Sequence, residues 1–399
     1  MFLRAFKWVL PMKPNPKTAI FISVILTPGL LKYNYLFEQT SSEKPCPSEQ
    51  LHQENAVHHN YLSWIIHNTK TKIWHDSADP SEIDQGLARG IVGVTTNPFL
   101  SNLAVSKNRE RWAAEINAVL AQNLPAEQKA EALVRIPVTC AAKKLLPVFE
   151  RTGGVMGQVC AQVNPARAGD RESMLAMARR FHSWAPNIAV KLPATWAGMD
   201  VLEDCIAEGI TITSTVNFTV PQVLAVGERC RKGVLRARAR GIEPGKCFAV
   251  IMIGRLDDYL RDVAHDWQAG VSESDIRQAG LAVVKRANRL FQERKYEAVL
   301  LIAAQRGDYH LTEIAGGDFV VSLTPPFQEM FVNGQFAHEE RIDREVPAGV
   351  IERLSQLPEF VRAYEPDGMQ PREFITYGVA QKTMAQFAEA GWRLLENLR

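Results

Sequence analysis

Eight short apolar, β-branched runs alternate with stretches of helix-period apolar residues, and nearly every run ends on a polar residue. Together these features predict an α/β chain folded as a (β/α)8 TIM barrel with extra helices and a C-terminal helical segment. The runs cover residues 72–75, 91–95, 155–163, 188–192, 210–216, 248–253, 298–303 and 319–323. Between them, side chains such as Trp112, Ile116, Val119 and Leu120 recur at helical spacing, so the chain reads as successive βα units in a parallel sheet. An open doubly wound sheet is the alternative, but no GxGxxG follows the first run to mark a dinucleotide site. No internal repeat of fixed period is present.

The ends of the chain differ from its body. Residues 1–37 contain no acidic residue and five Lys or Arg, with a mostly apolar run at 18–31. That run is shorter than the ~18–20 residues a membrane span needs, and its basic flanks suit a targeting peptide. A polar stretch at 38–55, rich in Ser, Pro, Glu and Gln, reads as a linker. Residues 1–60 are therefore expected to form a leader and linker, and 61–399 the barrel domain, with C-terminal helices from about residue 330. Near the end, Met384, Phe387, Ala388, Trp392 and Leu395 fall at helical spacing. They predict a helix that either packs on the body or covers the barrel mouth.

Composition limits the function classes. With 46% apolar and 23% charged residues, the 399-residue chain is a globular protein with ample core. Its 46 Lys+Arg against 44 Asp+Glu leave a charge of +2, too little to argue for a nucleic-acid partner. The cluster Arg229, Arg231, Lys232, Arg236, Arg238 and Arg240 reads as a solvated helix face. Six cysteines, at 46, 140, 160, 205, 230 and 247, form no CxxC pair. A reducing, cytoplasmic compartment follows by default, or an organelle if the leader is a transit peptide. His58, His59, His67 and His75 have no ligand-type spacing, so no metal is expected. A homodimer stays open.

The ends of the runs carry Asp76, Thr96 and Asn97, Gln162 and Asn164, Lys191, Thr213 and Thr215, Arg255, and Arg306. In a (β/α)8 barrel the chemistry sits at this end of the strands. Lys191, inside the run NIAVKLPAT, must snorkel, pair, or point into the barrel mouth. In the last case burial lowers its pKa, and the neutral amine can attack a carbonyl to form a Schiff base. Asp76 can move a hydroxyl proton or cap the helix that follows, although Ser77, Asp79 and Ser81 compete for the cap. Arg255 and Arg306 suit a substrate phosphate or surface ion pairs. Cys160 reads as a small buried side chain near this site.

These residues lie in blocks that resemble transaldolase, a Schiff-base-forming barrel enzyme of the pentose phosphate pathway. The resemblance runs from about residue 74 to residue 331. It rests on DSADPSEI, GVTTNP, NIAVKLPATWAGM, GITITSTVNFTVPQ, the IGR ending at Arg255, and AGGDFVVSLTP, in matching order and spacing. It implies Lys191 as the Schiff-base lysine and Asp76 as the acid/base. It also implies Asn97 on the substrate side, where Thr96 and Thr213 are expected from their strand-end positions, Thr215 at a catalytic water, and Arg255 and Arg306 on the phosphate. The implied activity is transfer of a dihydroxyacetone unit from sedoheptulose 7-phosphate or fructose 6-phosphate to an aldose phosphate, without metal or organic cofactor.

Some positions depart from the family pattern. Gln162, in VCAQV, stands where the family has a glutamate. An amide cannot shuttle protons but can hold a water, which would leave proton transfer to Asp76. The small fructose-6-phosphate aldolases, relatives of transaldolase, also carry glutamine there, so an aldolase-type lyase is the alternative. A non-catalytic sugar-phosphate-binding protein is the third. Thr213 replaces an asparagine, Met252 an aromatic residue, and Val250 and Ala304 serines, so hydrogen-bonding groups are fewer on the substrate side.

Overall fold

The computed structural model describes residues 60–399 and two short antiparallel strands, Ile25–Thr27 and Leu30–Lys32, in which Ile25 pairs with Lys32. The expected leader and linker otherwise lie outside the described residues, as do His58, His59 and Cys46.

Eight parallel strands close a barrel: β1 Lys72–Asp76, β2 Val94–Thr95, β3 Val159–Gln162, β4 Ile188–Pro193, β5 Ile212–Thr215, β6 Cys247–Met252, β7 Val299–Ala303 and β8 Val320–Leu323. Each strand pairs with its sequence neighbours, and β8 closes onto β1 from Val320↔Lys72 to Leu323↔His75. Along β4 the larger apolar residues Ile188, Val190 and Leu192 alternate with Ala189, Lys191 and Pro193. Side chains two apart share a face, so Lys191 belongs to the set turned into the barrel. Lower in the interior, the Trp74 and Phe248 rings meet at a tilt, 4.8 Å between centroids, and both are buried. Full burial of a ring such as Phe248 contributes about 1.5–3 kcal/mol. Gly93 makes room for Trp74, since a Cβ there would come within 2.4 Å of the indole.

Three strands fall three or more residues short of the predicted runs, one of them β5, where the run at 210–216 gives Ile212–Thr215. The run at 155–163 enters β3 only at Val159, because Gly153, Gly154 and Gly157 adopt positive φ and Val155 lies 55% exposed in the turn they make. The run at 91–95 gives a two-residue β2, although Val92 N–H still donates to Ile73 O at 2.9 Å. Helix starts follow local chemistry. Asp79 caps the helix Pro80–Ala88, accepting from Ser81 N and Glu82 N, so the cap falls to Asp79 and not to Asp76. In the helix Val220–Ala239, which carries most of the basic cluster, Arg229 and Arg236 pair with Glu203, and Arg238 with Glu297.

After the helix Pro325–Asn333 the chain runs through Ala348–Leu354 and Pro358–Tyr364 to Gly378–Phe387, a π-helical turn Ala388–Trp392, and Arg393–Glu396. The predicted terminal stripe is present, with Phe387, Trp392 and Leu395 buried. Its helix is interrupted at the π turn, where Gly391 lies so close to Pro98 and Phe99 that a Cβ would come within 2.5 Å of their backbone. Among the described residues no helix is long and apolar enough to cross a membrane, and no group of three or more His, Cys, Asp or Glu is placed to hold a metal.

Candidate active site

Strand register decides which polar residues meet. Gln162, Lys191 and Thr213 are successive Cα partners across β3, β4 and β5, and Asp76 lies opposite Thr95. Directly opposed residues share a sheet face, so these side chains converge inside the barrel at the C-terminal ends of its strands. Thr215, two residues beyond Thr213, continues the same face.

Lys191 is 5% exposed and makes no ion pair among the described residues. Its ammonium nitrogen donates to Thr96 O at 3.1 Å, a backbone contact that fixes the side chain without compensating its charge. Burial is the main influence and lowers its pKa, Cys160 and Asp76 oppose it, and Arg255 adds to the lowering. The neutral amine is thereby favoured.

Asp76 sits half-buried at the end of β1. Thr95 Oγ1 donates to Asp76 Oδ1 at 2.7 Å and also meets Ser322 Oγ of β8. Burial raises the Asp76 pKa, against the pull of the Thr95 hydrogen bond, Lys191 and Arg255. The two groups thus move toward one another, an amine made less basic beside a carboxyl made less acidic. Such a pair is suited to passing protons to and from a bound substrate.

Gln162 and Thr215, on the strands flanking that of Lys191, are buried, and among the described residues Gln162 Oε1 and Thr215 Oγ1 have no protein partner. Thr96 Oγ1 donates to Cys160 O at 2.6 Å, while Cys160 Sγ lies 3.4 Å from Thr213 Oγ1. Thr96 and Thr213 therefore have their hydroxyls engaged within the barrel wall. The Cys160 thiol is itself pushed up by burial.

The arginines stand further out. Arg255, at the start of the helix Ile253–Asp266, is half-buried and its pKa is pulled down to about 10, mainly by burial and then by Arg306. Its Nη1 donates to Gln386 Oε1 at 2.7 Å and to Thr383 Oγ1 at 3.4 Å, and its guanidinium lies 5.4 Å from the Phe387 ring. All three partners come from Gly378–Phe387, so this helix both packs on the body and borders the site. Arg306 is exposed, and its donors go to Asp258 and to the carbonyls of Ala304 and Gln305.

Two predicted residues have structural duties. Asn97 Oδ1 caps the helix Pro98–Lys107 by accepting Leu100 N–H at 2.9 Å, which leaves only its Nδ2 to donate elsewhere. Asn164 turns away to Ala166 N and Glu127. The sequence reading missed Thr95, Ser322, Gln305, Thr383 and Gln386. Ser322 had a signal, a lone hydroxyl in an apolar run, and Thr95 followed from its place beside Thr96. Thr383 and Gln386 had none, since their contact spans more than a hundred residues.

A closed parallel barrel with an unpaired interior lysine, a carboxyl neighbour and two arginines beyond them narrows the class of protein. The chain belongs to the transaldolase/fructose-6-phosphate aldolase family, whose family model matches residues 73–390. It is 32% identical over 198 residues to a transaldolase of Neisseria gonorrhoeae, covering 47% of this chain and 56% of the relative. It is 28% identical over 238 residues to Transaldolase 1 of Streptomyces avermitilis, covering 57% and 61%. It is 29% identical over 240 residues to a transaldolase of Acidothermus cellulolyticus, covering 56% and 62%. The chain thus matches about three-fifths of the length of these relatives.

Proposed function

We propose that the protein is a transaldolase that moves a dihydroxyacetone unit from a ketose phosphate, sedoheptulose 7-phosphate or fructose 6-phosphate, to an aldose phosphate. Its setting would be the pentose phosphate pathway in the cytoplasm. One observation carries the reading: the Lys191 amine is buried inside the barrel, bonded among the described residues only to a backbone carbonyl, at the strand end where Asp76 also lies. Neutral Lys191 adds to the C2 carbonyl, water leaves, and the iminium accepts the electrons of the C3–C4 bond as it breaks. Asp76 takes the C4 hydroxyl proton, the aldose phosphate departs, and a three-carbon enamine stays on the lysine. Attack of this enamine on an acceptor aldehyde, then hydrolysis, returns the free amine. Arg255 and Arg306 orient the phosphate, and the unpaired Gln162 Oε1 and Thr215 Oγ1 suit a bound water.

Gln162 favours a second reading, an aldolase-type lyase in which water releases dihydroxyacetone directly. Borohydride reduction with fructose 6-phosphate is expected to leave a covalent adduct on Lys191, and the absence of one overturns both readings. Turnover with and without glyceraldehyde 3-phosphate separates them. Acceptor-dependent exchange supports the transferase, and acceptor-independent release of dihydroxyacetone as the main reaction supports the lyase.

A further inference from the structure

Behind the arginines lies a buried pair that the mechanism above does not use. Asp257, on the helix that begins beside Arg255, and His310, on the short helix Tyr309–Thr312, are both 0% exposed. His310 Nε2 lies 2.8 Å from Asp257 Oδ2, and His310 Nδ1 accepts the backbone N–H of Arg306 at 3.0 Å. Because Nδ1 accepts, the ring carries a proton on Nε2 and donates it to the carboxylate. The other carboxylate oxygen, Asp257 Oδ1, accepts Gly280 N–H at 2.8 Å from the helix Glu273–Glu293. A continuous line of hydrogen bonds therefore runs from an outer helix to the backbone of the β7 loop.

That loop is also pressed against the helix of Arg255. Ala304 adopts φ 63°, an unfavourable conformation for a residue with a side chain, and its carbonyl accepts Gly254 N–H at 3.2 Å. A Cβ on Gly254 would come within 2.5 Å of both Ala304 O and Arg306 Cγ. Gly254 allows the loop to approach, and the His310 ring holds it there. With its backbone fixed, Arg306 is then set by Asp258, the next residue on the same helix, at 2.7 Å.

We propose that Asp257 and His310 are positioning residues for the anion end of the site, holding the Arg306 loop at the spacing from Arg255 that a phosphate-ended substrate requires. This rests on the transaldolase reading for its substrate, and phosphate binding by the free protein tests it apart from that reading. The pair touches neither substrate nor reacting atoms, so its loss acts on binding of the phosphate and leaves the chemistry at Lys191 in place.

The test uses the full chain and two readouts: inorganic phosphate binding by calorimetry, and steady-state kinetics with fructose 6-phosphate against unphosphorylated fructose as donor. His310→Leu is expected to weaken phosphate binding and to raise KM for fructose 6-phosphate, each about tenfold, as for a lost buried hydrogen bond. It should leave kcat within about twofold and the reaction with fructose unaffected. His310→Asn, which keeps an acceptor near the Nδ1 position, is expected to recover most of the loss. If His310→Leu does not fold, the isosteric Asp257→Asn carries the test with a smaller shift, about threefold, in the same direction. Unchanged phosphate affinity in the folded variants, equal losses with both donors, or no phosphate binding by the wild type would each overturn the proposal. An inactive wild type whose phosphate affinity still falls in His310→Leu rejects the transaldolase reading while supporting the clamp.

Discussion

The inner and outer halves of the site are built on opposite plans. Around Lys191 most side chains are buried, and among the described residues the amine has no ion pair and Gln162 and Thr215 each keep an unpaired oxygen. Around Arg255 and Arg306 the groups are half-buried or exposed, and each guanidinium already has protein acceptors in Gln386, Thr383 or Asp258. Unsatisfied, desolvated groups cost stability and are held only where surrounding packing fixes them. The strands supply that packing at the inner end. At the mouth, loops and a terminal helix supply partners that an incoming anion can replace. On the proposed function, the inner half would serve bond chemistry and the outer half exchangeable recognition.

The sharpest way to break this contrast is to remove the amine. Lys191→Met is expected to abolish the trapped adduct and lower turnover by about 10⁴-fold or more, as loss of a covalent nucleophile does. It should also stabilise the protein. Burial places the native pKa of Lys191 below that of the unfolded chain, so the unfolded state binds the proton more readily and is favoured at neutral pH. That penalty shrinks as pH rises toward the unfolded value of about 10.4. Thermal unfolding followed at pH 7 and near pH 10 checks the sign. The variant should melt above wild type by about 2 °C per kcal/mol of relieved desolvation at pH 7, with a smaller gap near pH 10. A destabilised variant at pH 7 would mean that the inner half is not strained.

Asp76→Asn tests the coupling inside that half. Cleavage is expected to slow by about 10²–10⁴-fold, the usual contribution of a positioned base. The carboxylate favours the ammonium form of Lys191, so its removal lowers the amine pKa further. The acid limb of adduct formation, followed by borohydride trapping against pH, is then expected to move to lower pH. A limb that stays in place would show that the two groups titrate independently, and one that moves up would contradict the sign of their coupling.

How far these halves could be read from the sequence follows the same division. The barrel and its inner residues rest on periodicity and on strand ends, and both are local signals. The alternation in IAVKLP already turns Lys191 inward, and register then brings Gln162 and Thr213 beside it. At the mouth the sequence showed that Arg255 and Arg306 follow β6 and β7, but not that Asp258 holds one and Gln386 the other. Those contacts depend on where loops and the terminal helix come to rest. Asn97 illustrates the ambiguity of a single polar residue before a helix, because its oxygen caps Pro98–Lys107 whatever else the amide does. The shortened β3 shows the converse, since positive-φ glycines before and inside an apolar run, Gly153, Gly154 and Gly157, override its strand propensity.

The contrast is sharpened by Arg255→Leu, which belongs to both halves. Losing a charged hydrogen-bond donor is expected to lower kcat/KM for fructose 6-phosphate by about 10–100-fold. Arg255 also depresses the pKa of Lys191 and of Asp76. Its removal should raise both, moving the acid limb of adduct formation to higher pH, opposite to Asp76→Asn. A pH profile that moves the same way in the two variants would contradict the charge arrangement described above.

The smallest effect is expected from Gln386→Ala, and its sign matters most. Gln386 is exposed, so water can replace its amide at little cost, and Arg255 keeps Thr383 and the Phe387 ring. If the mouth partners are exchangeable, removing one frees the guanidinium, and inorganic phosphate should bind about two- to threefold more tightly by calorimetry, a gain of a few tenths of a kcal/mol. Weaker binding would mean that the amide orients Arg255 more than it competes for it. The terminal helix would then be part of a preorganised anion site, and the outer half would follow the same plan as the inner one.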